Sequence, residues 1–282
     1  MLTLTNAIIT GAIQGLSEFL PISSSAHIVF TTSILKILTG ADYSIVNAED
    51  TFFSILLHLG TLIAVFVYFR KMLWDIIVEF FKAIKNRNFS NEYAKLGLYI
   101  LLGTVFTVAL AYPLKDICEQ LVYKPEIVAI LLIGTGVILF LSEYVSKKFN
   151  AKTDKMSLKK SIIMGLAQGM AVFPGLSRSG LTIASGLFSG LDRTSATKFS
   201  FLLVIPIILG TSILYPILEI NPAELAGFNW TNMIIGTIVS AIVGYLCIKY
   251  FLIFVSKFSL KIFAYYCVVV GATLSVFFHF IG

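Results

Sequence analysis

Gln14-Gly15-Leu16-Ser17-Glu18-Phe19-Leu20-Pro21-Ile22-Ser23-Ser24-Ser25-Ala26-His27 and Gln168-Gly169-Met170-Ala171-Val172-Phe173-Pro174-Gly175-Leu176-Ser177-Arg178-Ser179-Gly180-Leu181 are two copies of one pattern. Laid over each other without a gap, they match at Gln14/Gln168, Gly15/Gly169, Phe19/Phe173, Ser23/Ser177 and Ser25/Ser179, and Gly11 meets Gly165. Each is a turn broken by Pro and Gly and rich in hydroxyls, set inside apolar sequence. Together they hold the densest set of reactive groups in the chain: Glu18, His27, Arg178 and a run of serines.

The sequence around them is that of a membrane protein. Of 282 residues, 57% are hydrophobic and 13% charged, with a mean hydropathy of +0.91. A water-soluble domain of this size needs far more polar surface. Twenty-four Phe and twelve Tyr suit lipid-facing and interfacial positions. The net charge of +6 gives no sign of a nucleic-acid partner, because the basic residues fall between apolar runs, where they set membrane orientation. Cys118, Cys247 and Cys267 are scattered and read as free buried thiols. The N-terminus lacks a basic segment and carries Glu18 in its apolar stretch, so no cleavable leader is expected.

Residues 3–13 and 28–38 are apolar, but each covers about 11 residues, or about 16 Å of helix. A hydrocarbon core of about 30 Å needs nearer 20. Two half-length segments joined by Pro21 and Ser23–Ser25 predict a re-entrant hairpin, and 161–172 with 181–190 predict a second, turning at Pro174-Gly175 and Ser177–Ser179. Irregular backbone at that depth survives only when buried in protein or lining a wet cavity. Six full spans remain, at about 52–69, 96–112, 126–144, 199–217, 231–249 and 261–280.

The connecting segments 70–95 and 147–160, with Arg193, Lys198, Lys249, Lys257 and Lys261, place 17 of the 21 basic residues on one face, the expected cytoplasmic one. Asp42, Glu49, Asp50, Asp116, Glu119, Glu126, Glu219 and Glu224 fall on the other. Each half then contains one hairpin and three crossings. Three is odd, so the second copy lies upside down relative to the first. The expected fold is an all-α polytopic membrane protein, one domain over 1–282. It is built as an inverted-topology repeat (about 1–146 and 156–282) whose hairpins meet near the midplane. Fainter echoes fit the same duplication: Phe53-Ser54 with Phe199-Ser200, and Gly103-Thr104 with Gly236-Thr237.

Each turn leads into a half-helix that opens on serines, or on Ser and Arg. A helix N-terminus offers unpaired N–H groups and positive dipole, and two such ends facing each other make an anion site suited to phosphate. Arg178 adds a planar fork for phosphate oxygens. Gln14 and Glu18 share a helix face, and the spacing of Ser23 and Ser24 to His27 lets the imidazole lie over a serine hydroxyl. Serine, imidazole and carboxylate are the parts of an activated nucleophile and its base. Several readings stay open on the residues alone. Glu18 and Arg178 can pair for structure only, Ser23, Ser25, Ser177 and Ser179 can be helix caps, and a water ordered by Glu18 or His27 can replace serine as nucleophile. His58 is expected to be a satisfied polar residue of a span, and His279 an interfacial one.

Gln14-x-x-x-Glu18, the run Phe19 to His27, and Pro174-Gly175-Leu176-Ser177-Arg178-Ser179-Gly180-Leu181-Thr182 resemble the two signature motifs of the undecaprenyl-diphosphate phosphatase family, the bacitracin-resistance membrane phosphatases. The likeness extends through Phe263-Ala264-Tyr265-Tyr266 and so covers essentially the whole chain. Ala26 stands where the family usually has Gly, and His58 where it more often has Gln. The resemblance implies hydrolysis of undecaprenyl diphosphate to undecaprenyl phosphate and inorganic phosphate in the cell membrane, recycling the lipid carrier for envelope synthesis. It implies Ser24 as nucleophile, His27 as acid/base, Glu18 as a catalytic carboxylate and Arg178 as phosphate clamp. Gln14, Ser23, Ser25, Ser177, Ser179 and Thr182 become substrate-binding candidates. A divalent cation (Mg2+ or Ca2+) at Glu18 with Gln14, a homodimer, and contacts with membrane lipids are implied as well. The alternative from another class is a transporter or flippase for an anionic or polyprenyl-phosphate substrate, since inverted repeats with broken helices serve many transporters. The expected opening of the site is extracytoplasmic, where spent carrier appears.

Overall fold

The computed structural model describes residues 2–38, 40, 48–149, 153–219 and 224–281. Asp42 and Lys152 of the charge count lie outside these residues. Eleven α-helices are described: α1 (Leu4–Ser17), α2 (Ser24–Leu38), α3 (Ala48–Asn86), α4 (Glu92–Ala111), α5 (Lys115–Leu121), α6 (Pro125–Phe149), α7 (Leu158–Met170), α8 (Arg178–Phe188), α9 (Arg193–Glu219), α10 (Trp230–Lys257) and α11 (Lys261–Ile281). Among the described residues the only extended pairing is an isolated bridge between Thr153 and Leu191. Six stretches are long and apolar enough to cross a membrane: α3, Glu92–Cys118, α6, α9, α10 and α11. The chain is therefore an all-helical, multi-pass membrane protein.

Two boundaries depart from the sequence reading. The segment from residue 70, expected to leave the helix, continues as α3 to Asn86 and carries Arg70, Lys71, Lys82 and Lys85 on a helical surface. Leu73, Ile76 and Ala83 are buried at helical spacing beneath those charges, so an amphipathic period persists where hydropathy falls. The break comes at Asn91, whose Oδ1 accepts from the Tyr93 and Ala94 backbone N–H groups and caps α4. The second departure is α2, which starts at Ser24 rather than beyond the serines.

The ends of the helices are gathered in two groups. Asn232 Nδ2 donates to the Leu2 carbonyl (2.7 Å), the Asn229 N–H to Glu49 Oε1 (3.0 Å), and Lys36 pairs with Asp50 (2.9 Å). These contacts tie the starts of α1, α3 and α10 to the end of α2. At the other end Glu143 receives Arg193 through Nε (2.7 Å) and Nη2 (2.6 Å), and its Oε1 also accepts the Leu260 N–H (3.0 Å). The Thr153 backbone bonds Gly190 and Asp192 there, so the ends of α6 and α8 meet the starts of α9 and α11. The α1/α2 pair thus starts from one end of the bundle and the α7/α8 pair from the other.

Both pairs lie close to their neighbours through glycine. A Cβ on Gly11 of α1 would run into the Gly236 carbonyl of α10, and one on Gly165 of α7 into the Gly103 carbonyl of α4. Side chains without bulk let backbones approach this closely, the usual device where lipid supplies no hydrophobic drive between helices. Thr107 Oγ1 uses the proximity to donate to the Gly165 carbonyl at 2.9 Å, and Ser240 Oγ donates to the Leu57 carbonyl at 2.9 Å.

Gly165→Val is expected to destabilise the protein by about 1–3 kcal/mol, because the clash is with backbone that cannot rotate away. Gly210→Ala, where nothing lies within 4 Å of the added methyl, is expected to be neutral or slightly stabilising. Thermal unfolding of both variants in detergent checks the contrast.

Candidate active site

Helix α1 ends where Pro21, lacking an N–H and fixed in φ, makes continuation costly. Ser23 then takes a left-handed conformation (φ 68°), rare for a residue with a side chain and typical of functional turns. Its hydroxyl caps α2 by accepting from the Ala26 N–H (3.3 Å), and it lies 3.1 Å from Ser25 Oγ. The second turn repeats the capping pattern, though Ser177 itself has φ −74°. Ser177 Oγ accepts from the Gly180 N–H (3.0 Å) and lies 3.2 Å from Ser179 Oγ.

The turns bond each other directly. Ser179 Oγ donates to the Leu20 carbonyl (2.9 Å), and Ser25 Oγ accepts from the Gly175 N–H (3.4 Å). The four matched serines therefore cap their helices and stitch the two turns together. Thr182 is fully buried, with its hydroxyl on the Arg178 and Ser179 carbonyls and 2.5 Å from Ser200 Oγ of α9. Gln168, the counterpart of Gln14, donates to Thr107 Oγ1 and the Leu203 carbonyl, both at 3.2 Å.

Between the turns sits Glu18, 5% exposed. Its Oε1 receives Arg178 Nη2 at 2.5 Å. Its Oε2 receives Ser24 Oγ at 2.6 Å and Gln14 Nε2 at 3.0 Å. A buried carboxylate with this many donors is held as the anion. Two polar atoms at the site remain buried without a partner, Arg178 Nη1 and Gln14 Oε1. One is a donor and the other an acceptor, and burying each without a bond costs about 1–3 kcal/mol unless a ligand supplies the missing contact.

The histidines change places relative to expectation. His27 does not lie over a serine hydroxyl: its Nδ1 is 2.8 Å from the Ser23 backbone carbonyl and its Nε2 2.7 Å from the Tyr266 hydroxyl of α11. The left-handed turn at Ser23 leaves that carbonyl within reach of a side chain four residues on. His58, taken from the sequence as a satisfied polar residue, instead brings Nε2 to 3.6 Å from Glu18 Oε2, while Nδ1 lies 2.8 Å from the Ser54 carbonyl. The signal that could have found it was its presence at all, an ionisable side chain inside an apolar span.

A cavity of about 320 Å3 begins at His58, Ser25 and Pro174 and runs along α2 past Thr32 to the Lys36–Asp50 pair. It extends toward the end of the bundle where α2 finishes and α3 starts. Cys118, Cys247 and Cys267 are buried and form no disulfide among the described residues, as their spacing suggests.

Comparison with known proteins finds relatives over nearly the whole chain. An undecaprenyl-diphosphatase of Methanosphaera stadtmanae is 39% identical over 281 residues, covering 96% of both chains. One from Halothermothrix orenii is 38% identical, covering 95% of this chain and 96% of its own. Undecaprenyl-diphosphatase 2 of Halalkalibacterium halodurans is 38% identical, covering 99% and 97%. Residues 7–273 match the family described as bacitracin resistance protein BacA, and the chain belongs to that family.

Proposed function

We propose that the protein hydrolyses undecaprenyl diphosphate to undecaprenyl phosphate and inorganic phosphate in the cell membrane, and that this recycling of the carrier underlies resistance to bacitracin. The observation that carries the reading is the contact of Ser24, Glu18 and Arg178 across the two turns. In it a hydroxyl is bonded to a carboxylate base beside a guanidinium that has one N–H group to spare. Transport would not require such a nucleophile–base pair.

In the proposed reaction Ser24 Oγ attacks the terminal phosphorus as its proton passes to Glu18 Oε2. The bond from that phosphorus to the bridging oxygen breaks, and undecaprenyl phosphate leaves with the bonding pair. Water then attacks the phosphoserine, the bond from phosphorus to Ser24 Oγ breaks, Glu18 returns its proton to that oxygen, and inorganic phosphate leaves carrying the protons of the water. Charge on the phosphoryl oxygens is met by Arg178 Nη1 and by the N–H groups opening α2 and α8. His27 is assigned the acid–base role, with Nε2 as the exchanging nitrogen because Nδ1 faces a carbonyl, which only accepts.

The donor set also suits a divalent cation. Gln14 Oε1 is a buried acceptor without a partner beside the Glu18 carboxylate. No three His, Cys, Asp or Glu residues cluster as metal ligands among the described residues, so Mg2+ or Ca2+ would draw its remaining oxygens from the diphosphate and water. Bound there, it would supply charge neutralisation for the leaving phosphate.

The two helix pairs are proposed as re-entrant hairpins of an inverted repeat. Supporting this, they start from opposite ends of the bundle and meet at their turns. Their glycines also pack reciprocally, α1 on α10 and α7 on α4. The site is proposed to open on the extracytoplasmic side through the cavity along α2, and the protein to act as a homodimer among membrane lipids.

Arg178→Ala is expected to lower kcat for phosphate release from undecaprenyl diphosphate by about 100- to 1,000-fold. Arg178→Lys should not restore it, since a point charge lacks the planar fork. Rapid quenching with substrate labelled in the terminal phosphate should trap label on the wild-type protein and none on Ser24→Ala; activity retained by Ser24→Ala would exclude a serine nucleophile. Thr32→Cys, in the cavity wall, should react in intact cells with a membrane-impermeant thiol reagent, against a low background because the native cysteines are buried. Reaction only from the cytoplasmic side would reverse the proposed orientation.

A further inference from the structure

We propose that Tyr266 is a positioning residue for this phosphatase, acting through His27; the inference rests on the function proposed above. The His27 ring is held at two points. Its Nδ1 is 2.8 Å from the Ser23 carbonyl and its Nε2 2.7 Å from the Tyr266 hydroxyl, and the tyrosine ring lies beside it, edge to edge, with centroids 5.7 Å apart and planes 12° from parallel. A carbonyl only accepts, so Nδ1 carries the hydrogen of the neutral ring and Nε2 presents its lone pair. The Tyr266 hydroxyl is the donor that fills it. The carbonyl and the hydroxyl together fix both the tautomer and the plane of the imidazole, and a proton taken up at Nε2 comes through the Tyr266 hydroxyl, which gives its own proton to the ring as it accepts another.

The tyrosine itself is set by the fold. It lies on α11, 239 residues from His27, and nothing local to α2 engages Nε2. The neighbouring Cys267 is fully buried, and its Sγ reaches the Pro21 carbonyl at 3.6 Å. Consecutive residues of α11 are thereby docked on the first turn, one on its backbone and one on its histidine. Gly136 of α6 allows this approach, since a Cβ there would meet the Ala264 carbonyl at 2.7 Å. The last helix, which supplies no residue to the Glu18–Arg178 cluster, thus reaches the reacting centre through a single hydroxyl.

Tyr266→Phe removes that hydroxyl and keeps the aromatic ring in its place, so the fold is retained and the melting temperature should match wild type. With the imidazole held by one bond instead of two, kcat for phosphate release should fall about 10- to 100-fold, with KM unchanged. The loss should vanish in a His27→Ala background, where Tyr266→Phe should change the residual rate by less than about twofold, because two residues acting through one group are not additive. The imidazole nitrogens give a readout independent of turnover: with 15N-labelled histidine, the Nε2 resonance of His27 should shift in Tyr266→Phe while that of His58 stays in place. An unchanged kcat, an equal loss in the His27→Ala background, or an unmoved His27 signal would each overturn the inference. If wild-type protein released no phosphate from undecaprenyl diphosphate, the functional reading itself would fail. A wild type that hydrolyses, with Tyr266→Phe indistinguishable from it, would sink the inference alone.

Discussion

One buried ion pair joins the two halves of the sequence. Glu18 lies almost wholly out of solvent, and removing a carboxylate and a guanidinium from water costs several kcal/mol per ion before any attraction is counted. Such a pair persists only when the remaining lone pairs are filled, and here Ser24 and Gln14 fill them. The arrangement fixes where both turns must stand. Glu18 closes α1, Arg178 opens α8, and a bond from Arg178 Nη2 to Glu18 Oε1 allows no slippage of one turn past the other. Deleting either partner would strand a charge, which is why the pair is better regarded as a constraint on geometry than as a source of stability.

That constraint can be met only if the short helices sit unusually near their neighbours. Helices α1 and α7 are 14 and 13 residues long, or about 20 Å each. They carry polar groups to their tips, so they must be shielded along their length by other helices. The Gly11–Gly236 and Gly165–Gly103 contacts provide that shielding at backbone distance. The Thr107 hydroxyl then donates to the Gly165 carbonyl across the second of these contacts, and the Ser240 hydroxyl donates from α10 to the Leu57 carbonyl of α3. Glu143, bonded to Arg193 and to the Leu260 N–H, does comparable work at the end where α8 finishes. It holds the starts of α9 and α11 together, and so indirectly places Tyr266.

Much of this was legible in the residues, for reasons that also explain what was not. Hydropathy located the six long helices and the two broken pairs, because the cost of burying backbone and charge in lipid is large and local. The two hydroxyl-rich motifs were expected to meet, and Arg178 of one does bond Glu18 of the other. What escaped was information carried by helix faces and by distant segments. Arg70 and Lys71 interrupted the apolar run but not the helical period, so α3 continued past its expected end. Triplet spacing placed His27 over a serine hydroxyl, whereas the left-handed backbone at Ser23, invisible to spacing, offered a carbonyl in its place. His58 and Tyr266 come from elements remote in sequence from both motifs, and only packing brings them in. Thr182 sits within a motif yet faces α9, because residues adjacent in a helix point in different directions.

The two turns also separate scaffold from chemistry. Positions that match between them, Ser23 with Ser177 and Ser25 with Ser179, do the same job in each copy, capping a half-helix and bonding the opposite turn. Positions that differ carry the reactive groups: Glu18 aligns with Val172, Ser24 with Arg178, and His27 with Leu181. The two bonded turns bring the N-termini of α2 and α8 together, and the partial positive charge there favours an anion. Symmetry alone, however, would place identical groups on both sides and could not set an acid against a base. In the proposed reaction, the carboxylate, hydroxyl and imidazole of one turn against the guanidinium of the other provide the asymmetry by which one side would accept a proton while the other would hold the phosphoryl oxygens. Restoring symmetry at His27 would therefore leave the serine caps and the Glu18–Arg178 pair in place while removing one partner of the proposed proton transfer, whereas at Glu18 it would also strand the Arg178 guanidinium.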